Sequence, residues 1–193
     1  PYTLRIDAVG KDTWHERPVA EGVWLRTKLA SNLYGGAQTI NVLRIDPKAP
    51  GLTVKPRRAS GCQTTSTLGK AASAVAGVNG GFFSMVSGCP PVSLVKIDGT
   101  VHSIASTAHT AVGMSAQGSP LIAMVPGANP WAAAHQALGG GPNLVSSGVE
   151  SISQEGFPWV YQRHPRTAAA IDAQGQLLLV TVVLAGALAT ASC

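Results

Sequence analysis

The chain has 193 residues, of which 45% are hydrophobic and only 12% charged, with a formal net charge of +5. That length can bury a sizeable core and one domain is expected, while the low charged share excludes a disordered or strongly charged binding protein. The basic residues are scattered, with one small knot at Lys55, Arg57 and Arg58, too short and too poor in aromatics for a nucleic-acid surface.

Residues 23–29, 38–45 and 52–55 alternate in strand fashion and are bounded by Gly, Pro, Asn or Asp, which predicts three strands. Residues 66–76 switch to helical character, with Thr or Ser at the start, alanines in the turns and Gly77 at the end. The segment 76–83, Ala-Gly-Val-Asn-Gly-Gly-Phe-Phe, reads as a short buried strand that breaks into a tight loop at Asn79, Gly80 and Gly81. Two glycines after an asparagine let the backbone take positive φ and turn its N–H groups toward one point, with Phe82 and Phe83 anchoring the turn in the core. Taken alone, such a loop is more often a plain turn than an anion cradle.

Residues 94–104 predict a hairpin around Asp98-Gly99, a type I′ pair. Residues 129–138 read as a short helix with Pro130 in its first turn and Gly139 at its end. A second glycine-rich loop, residues 138–148, carries Gly139, Gly140 and Gly141 into an apolar strand, and Arg163, His164 and Arg166 stand in front of a third strand. The uncharged run 177–192 falls short of the ~20 residues a membrane-spanning helix needs and begins like a strand, so a buried central strand is expected rather than a span. No signal peptide is visible, and a start at Pro1 without methionine reads as a mature or trimmed product.

A weak internal repeat relates residues 110–125 to residues 167–182, with seven of sixteen positions identical, including both Ala-Gln-Gly turns. Each copy reads as a hairpin with one buried face, too short to be a solenoid unit. The expected architecture is therefore α+β: a single domain of mainly antiparallel twisted sheets with a few short helices packed against them.

Cys62, Cys89 and Cys193 lack metal spacing and no CxxC is present. A Cys62–Cys89 bridge would pin both ends of the unit that carries Asn79; two buried free thiols are the alternative. With the bridge, the protein works outside the reducing cytosol, secreted or in the periplasm or cell envelope. Other chemistries find little support. Gly69-Lys70 lacks the upstream glycine of a P-loop, the histidines at 102, 109, 135 and 164 have no zinc-ligand spacing, and no Gly-x-Ser-x-Gly elbow occurs. Neither a metal nor a cofactor is expected.

The segment Asn79-Gly-Gly-Phe-Phe83, the triple glycine at 139–141 and Pro165-Arg-Thr-Ala168 follow one another in an order and at a spacing that resembles the phosphodiester glycosidase family. The resemblance runs from about residue 40 to residue 182, and the first and last of these motifs are its specific parts. It implies hydrolysis of a glycosyl-1-phosphodiester to free sugar and phosphomonoester. Such a substrate carries one negative charge, which calls for a guanidinium or a nest of backbone N–H groups. Arg166, in the Pro-Arg-Thr-Ala motif, is the first choice for the phosphate, since its fixed fork of donors suits two oxygens. His164 is a candidate proton donor, and Asp172 aligns with an acidic residue that follows the family's Arg-Thr-Ala strand, although Asp-Ala-Gln-Gly is also an ordinary turn. Asn79, Gly80, Gly81, Gly139, Gly140, Gly141 and Thr167 complete the substrate-binding set. Arg163 reads as solvated, Asp98 as a turn residue, and Glu150 and Glu155 lie in the intervening loop.

The chain departs from the family after residue 181, where neither an Asp-Gly step nor a final acidic glycine-rich loop follows. One domain over 1–193, incomplete at its C-terminal end, is the expectation that results. A non-catalytic exported protein that binds an anionic saccharide in the same pocket is the alternative. Self-association through an exposed C-terminal edge at residues 177–183 is a third reading, and no nucleic-acid partner is expected.

Overall fold

The computed structural model describes residues 14–33, 35–152, 162 and 164–184. The N-terminal strands are β1 (His15–Ala20), β2 (Val23–Ala30) and β3 (Gln38–Ile45), followed by a short helix α1 (Thr65–Ala71). Then come β4 (Val95–Ile97), β5 (Thr100–Ser103), β6 (His109–Met114), β7 (Pro120–Val125), β8 (Gln136–Gly140), β9 (Val145–Ser146) and β10 (Val149–Glu150). The last pair is β11 (Arg166–Ile171) and β12 (Leu177–Leu184).

Two five-stranded antiparallel sheets result, ordered β1-β2-β3-β12-β11 and β5-β4-β8-β6-β7, with a small β9–β10 hairpin beside them. The architecture is mostly antiparallel β, and α1 is the one helix among the described residues. Along β2, β3 and β12 the inward positions are Val23 and Leu25, Leu43 and Ile45, Leu177 and Leu179, which pair directly across the strands. They meet Val112 and Met114 of the second sheet, and the chain segments bearing Leu52, Val54, Ala76 and Val78 fill the space around them. A second core lies on the other face of the second sheet, where Leu94, Ala111, Val125, Ala134 and Ala137 are buried beneath Leu121 and Trp131. The edge strand β11 runs beside β7. No helix of the described residues is long and apolar enough to cross a membrane.

The predicted strands at 23–29 and 38–45 correspond closely to β2 and β3, and the Asp98-Gly99 hairpin is β4–β5, with both turn residues at positive φ. Both copies of the internal repeat are hairpins, β6–β7 and β11–β12, closed by the same five-residue turn. In one, Ser115 Oγ accepts from the N–H groups of Gln117 at 3.2 Å and Ser119 at 3.1 Å; in the other, Asp172 Oδ1 accepts from those of Gln174 at 2.9 Å and Gln176 at 2.8 Å. Gly118 and Gly175 occupy the same left-handed position in each turn.

Four expectations are corrected. Residues 129–138 are not a helix. Asn129 Oδ1 accepts from the Trp131 N–H at 2.7 Å, Ala128 and Trp131 take positive φ, and the chain then enters β8 between β4 and β6. Its alanines are there for size: Ala134 and Ala137 are buried in the second core against Leu94, Ala111 and Val125, where close packing leaves little room. The helix expected at 66–76 stops at Ala71, because Ser73 at φ 51° turns the chain back and the Ala74 N–H bonds to the Gly69 carbonyl at 2.9 Å. The strands expected at 52–55 and 76–79 run without ladder partners, and within 76–83 only Phe83 forms a bridge, to Pro91. Finally, β12 has β3 on one side and β11 on the other, so it is the expected inner strand and offers no C-terminal edge.

Candidate functional site

Asn79 is delivered by a unit anchored at both ends. Thr64 caps α1, its hydroxyl accepting from the Thr67 N–H at 3.2 Å, and Cys62 is joined to Cys89 with a Cα separation of 5.2 Å across 27 residues. Between these points, Ala76 and Val78 pack on the inter-sheet core and leave Asn79 exposed at the rim. A disulfide of this span fits an oxidising compartment.

The three sequence motifs meet here. Thr167 Oγ1 donates to Asn79 Oδ1 at 2.5 Å, joining residues 88 positions apart. Gly80 and Gly81 lie against Leu138: a Cβ on Gly80 would come within 2.5 Å of Leu138 Cδ2, and one on Gly81 within 3.1 Å of Leu138 Cδ1. Gly81 also has φ 75°, a conformation that favours glycine. Leu138 leads directly into the triple glycine. Gly139 is an interior residue of β8, where a Cβ would meet His109 Cδ2 at 2.8 Å and Ser93 Cβ at 2.9 Å; its carbonyl accepts from Ser93 Oγ at 3.2 Å. Gly139 therefore serves close packing, beside Gly140 and Gly141. Gly140 points into open space beside its paired residue Thr110, and Gly141, at φ 146°, precedes the cis bond to Pro142. Thr110 and Thr167 are equivalent positions of the two repeated hairpins, so one design puts a threonine on each wall.

Arg166 and Thr167 are neighbours in β11 and so leave it on opposite faces. It is Thr167 that meets Asn79. The Arg166 guanidinium donates to the Gln162 carbonyl at 2.8 Å and the Pro165 carbonyl at 3.2 Å, which holds it at the mouth of the strand. His164 is exposed on the same approach, its Nε2 2.9 Å from Gln162 Oε1. Asp172 lies at the other end of β11, about 20 Å along the strand from Arg166. Its Oδ1 is engaged by the turn N–H groups of Gln174 and Gln176, the ordinary turn role that the sequence also offered. Asp98 is a turn residue as expected, bound to Gln136 Nε2 at 2.7 Å and Lys55 Nζ at 3.0 Å. Glu150 sits exposed on β10, while Arg163, Glu155 and Cys193 lie outside the described residues.

A further feature was missed at the level of sequence. Thr27, Asn41, Thr181 and Thr167 are in direct register across β2, β3, β12 and β11 and form one polar row on the inner face. Thr27 Oγ1 donates to Asn41 Oδ1 at 2.9 Å, Asn41 Nδ2 donates to Thr181 Oγ1 at 3.4 Å, and the row ends in the Thr167–Asn79 contact. Beside it opens a cleft of about 280 Å³ with Arg17, Asn41 and Thr181 among its polar lining and the 75–78 segment as one wall. The signal was present: in each of three strands the inward set runs Val, Ile or Leu, then Leu, then Thr or Asn, a polar residue ending an otherwise apolar series.

The phosphodiester glycosidase family model matches residues 72–187, which contain all three motifs. No curated protein matches the chain. A match over more than half of the sequence, on the segments that meet in space, makes the chain a member of the phosphodiester glycosidase family.

Proposed function

We propose that the protein hydrolyses a glycosyl-1-phosphodiester to free sugar and phosphomonoester, in an exported setting, with the reaction centred where Asn79 meets Thr167. The observation that carries this reading is the Thr167–Asn79 hydrogen bond together with the packing of Gly80 and Gly81 on Leu138. Because the Thr167 hydroxyl occupies Asn79 Oδ1, the amide is oriented and its NH₂ donors are turned the other way, available to an oxyanion. The backbone N–H groups of the Gly80–Gly81 turn add donors without a reorganisation cost at the moment of reaction. Arg166 supplies positive charge at the mouth of β11 and leads the diester in. Water's oxygen joins the anomeric carbon, the bond from that carbon to the phosphate oxygen breaks, and the phosphomonoester leaves. The released proton passes to His164 or to solvent. A phosphate is a fair leaving group, so stabilising its charge matters more than protonating it.

Turnover of an aryl-phosphoryl sugar tests this. Asn79→Ala should lower kcat/KM by roughly a hundredfold or more if it holds the oxyanion, and Arg166→Ala by roughly tenfold if its charge steers the diester in. Unchanged turnover in both would dismiss the assignment. The engagement of Asp172 by its own turn favours a second reading, an anionic-saccharide binder without catalysis. That reading predicts calorimetric binding of the same diester with no product released.

A further inference from the structure

The cleft beside the polar row has a composition of its own. Its walls are aliphatic, from Leu25, Leu43, Val78 and Leu179 among others, and its polar groups are gathered at Asn41, Thr181 and Arg17. Thr27 fixes the Asn41 amide by donating to its oxygen, so the amide nitrogen faces Thr181. That second contact is long, 3.4 Å, and engages only one of the two amide hydrogens. Thr181, as the acceptor, keeps its own hydroxyl hydrogen to donate. A pair with spare donor and acceptor capacity above an aliphatic floor suits a polyhydroxylated ring: hydroxyls take the pair, and ring C–H groups pack on the floor.

The cleft also adjoins the reaction centre on two sides. Thr181 pairs directly with Thr167, and the wall formed by residues 75–78 runs straight into Asn79. A phosphate held at Asn79 would therefore place one of its two substituents in the cleft. Arg17, Asn41, Leu25 and Leu43 lie outside the segment that the family match covers, so half of this wall belongs to the N-terminal strands.

We propose that this cleft is the glycosyl subsite, with Asn41 and Thr181 as sugar-hydroxyl-binding residues that set which pyranose is accepted and Arg17 as a charge on the β1 side of the cleft, away from the phosphate. This rests on the glycosidase reading for the identity of the neighbouring phosphate. Calorimetric titration with gluco-, galacto- and manno-configured hexopyranosyl phosphates tests it in the wild type, Thr181→Val and Asn41→Ala. Thr181→Val keeps the volume and removes only the hydroxyl. The expected result is that one sugar binds best, and that either variant weakens it roughly five- to tenfold and narrows the preference among the three. Thermal melting of the same samples separates this from loss of fold; for a variant that melts early, Thr181→Ser, which restores the hydroxyl, should recover binding. Equal affinity in wild type and folded variants, or no binding of any of the three, overturns the subsite. Turnover of the aryl-phosphoryl sugar is scored separately: if it persists in the wild type while both variants bind as the wild type does, the subsite falls and the glycosidase reading stands. An acyl or other aliphatic phosphate that binds in preference to all three sugars would also overturn it.

Discussion

Thr167 and Arg166 differ by one position along β11, and that single step decides which of them faces Asn79. The Pro-Arg-Thr-Ala motif was legible in the sequence, but its division of labour was not, because strand alternation assigns faces only once the register is known. The same limit hid Asn41 and Thr181, whose importance lies in being in register across β3 and β12. Asp172 shows the opposite case. An acidic residue after a strand invites a chemical role, yet the two N–H groups of its own turn account for it. Asp172→Ala should cost about 1–2 kcal/mol in urea denaturation and leave kcat/KM unchanged; a fall in activity at intact stability would return it to the chemistry. Asp98 has a different consequence. The hydrogen bond from Gln136 and then that from Lys55 hold its carboxyl below its ordinary value. A carboxyl depressed in the folded state contributes stability that is complete above the unfolded value and lost as pH falls through the folded one. The stability gap between wild type and Asp98→Asn should therefore be present near neutrality and shrink as the pH falls below the ordinary carboxylate range. A gap that persists unchanged into acid would mean that the ionised carboxylate is not what stabilises the turn.

Among elements, the hairpins were the most readable. Asp98-Gly99 and the two Ala-Gln-Gly turns each announce a backbone conformation that few other residues tolerate, and the apolar runs beside them are long enough to fix the strands. The alanine-rich stretches misled, since alanine favours helices in isolation but is also the side chain that fits a tightly packed core, as at Ala134 and Ala137. The unit between Cys62 and Cys89 contains α1 and the Asn79 loop but almost no ladder of its own, so its order depends on tethers more than on strand pairing. Replacing both cysteines with serine should lower stability by roughly 3 kcal/mol. Because Asn79 rides on this unit, the same variant should also raise KM for the aryl-phosphoryl sugar. Identical denaturation midpoints with and without the bridge would show that core packing of Ala76 and Val78 alone holds the loop.

For the whole molecule, mostly antiparallel sheets followed from the many short strands and turn signals, and the order in which those strands lie did not. Local patterns cannot reveal that β12 lies between β3 and β11, a pairing that spans most of the chain. The edges are also informative. Pro18 stands in the outermost strand β1 and Pro120 opens the edge strand β7, and a residue without an N–H blunts an exposed ladder against pairing with another chain.

The late position of β12 has one more consequence. While the polypeptide emerges from the ribosome, β1–β3 can zip together early, but β11 has no route into that sheet until its successor has been made. Thr167 thus waits for β12 before it can meet Asn79. The Thr167–Asn79 contact is therefore among the last to form, and a product clipped ahead of β12 would lack it however well its first half has folded.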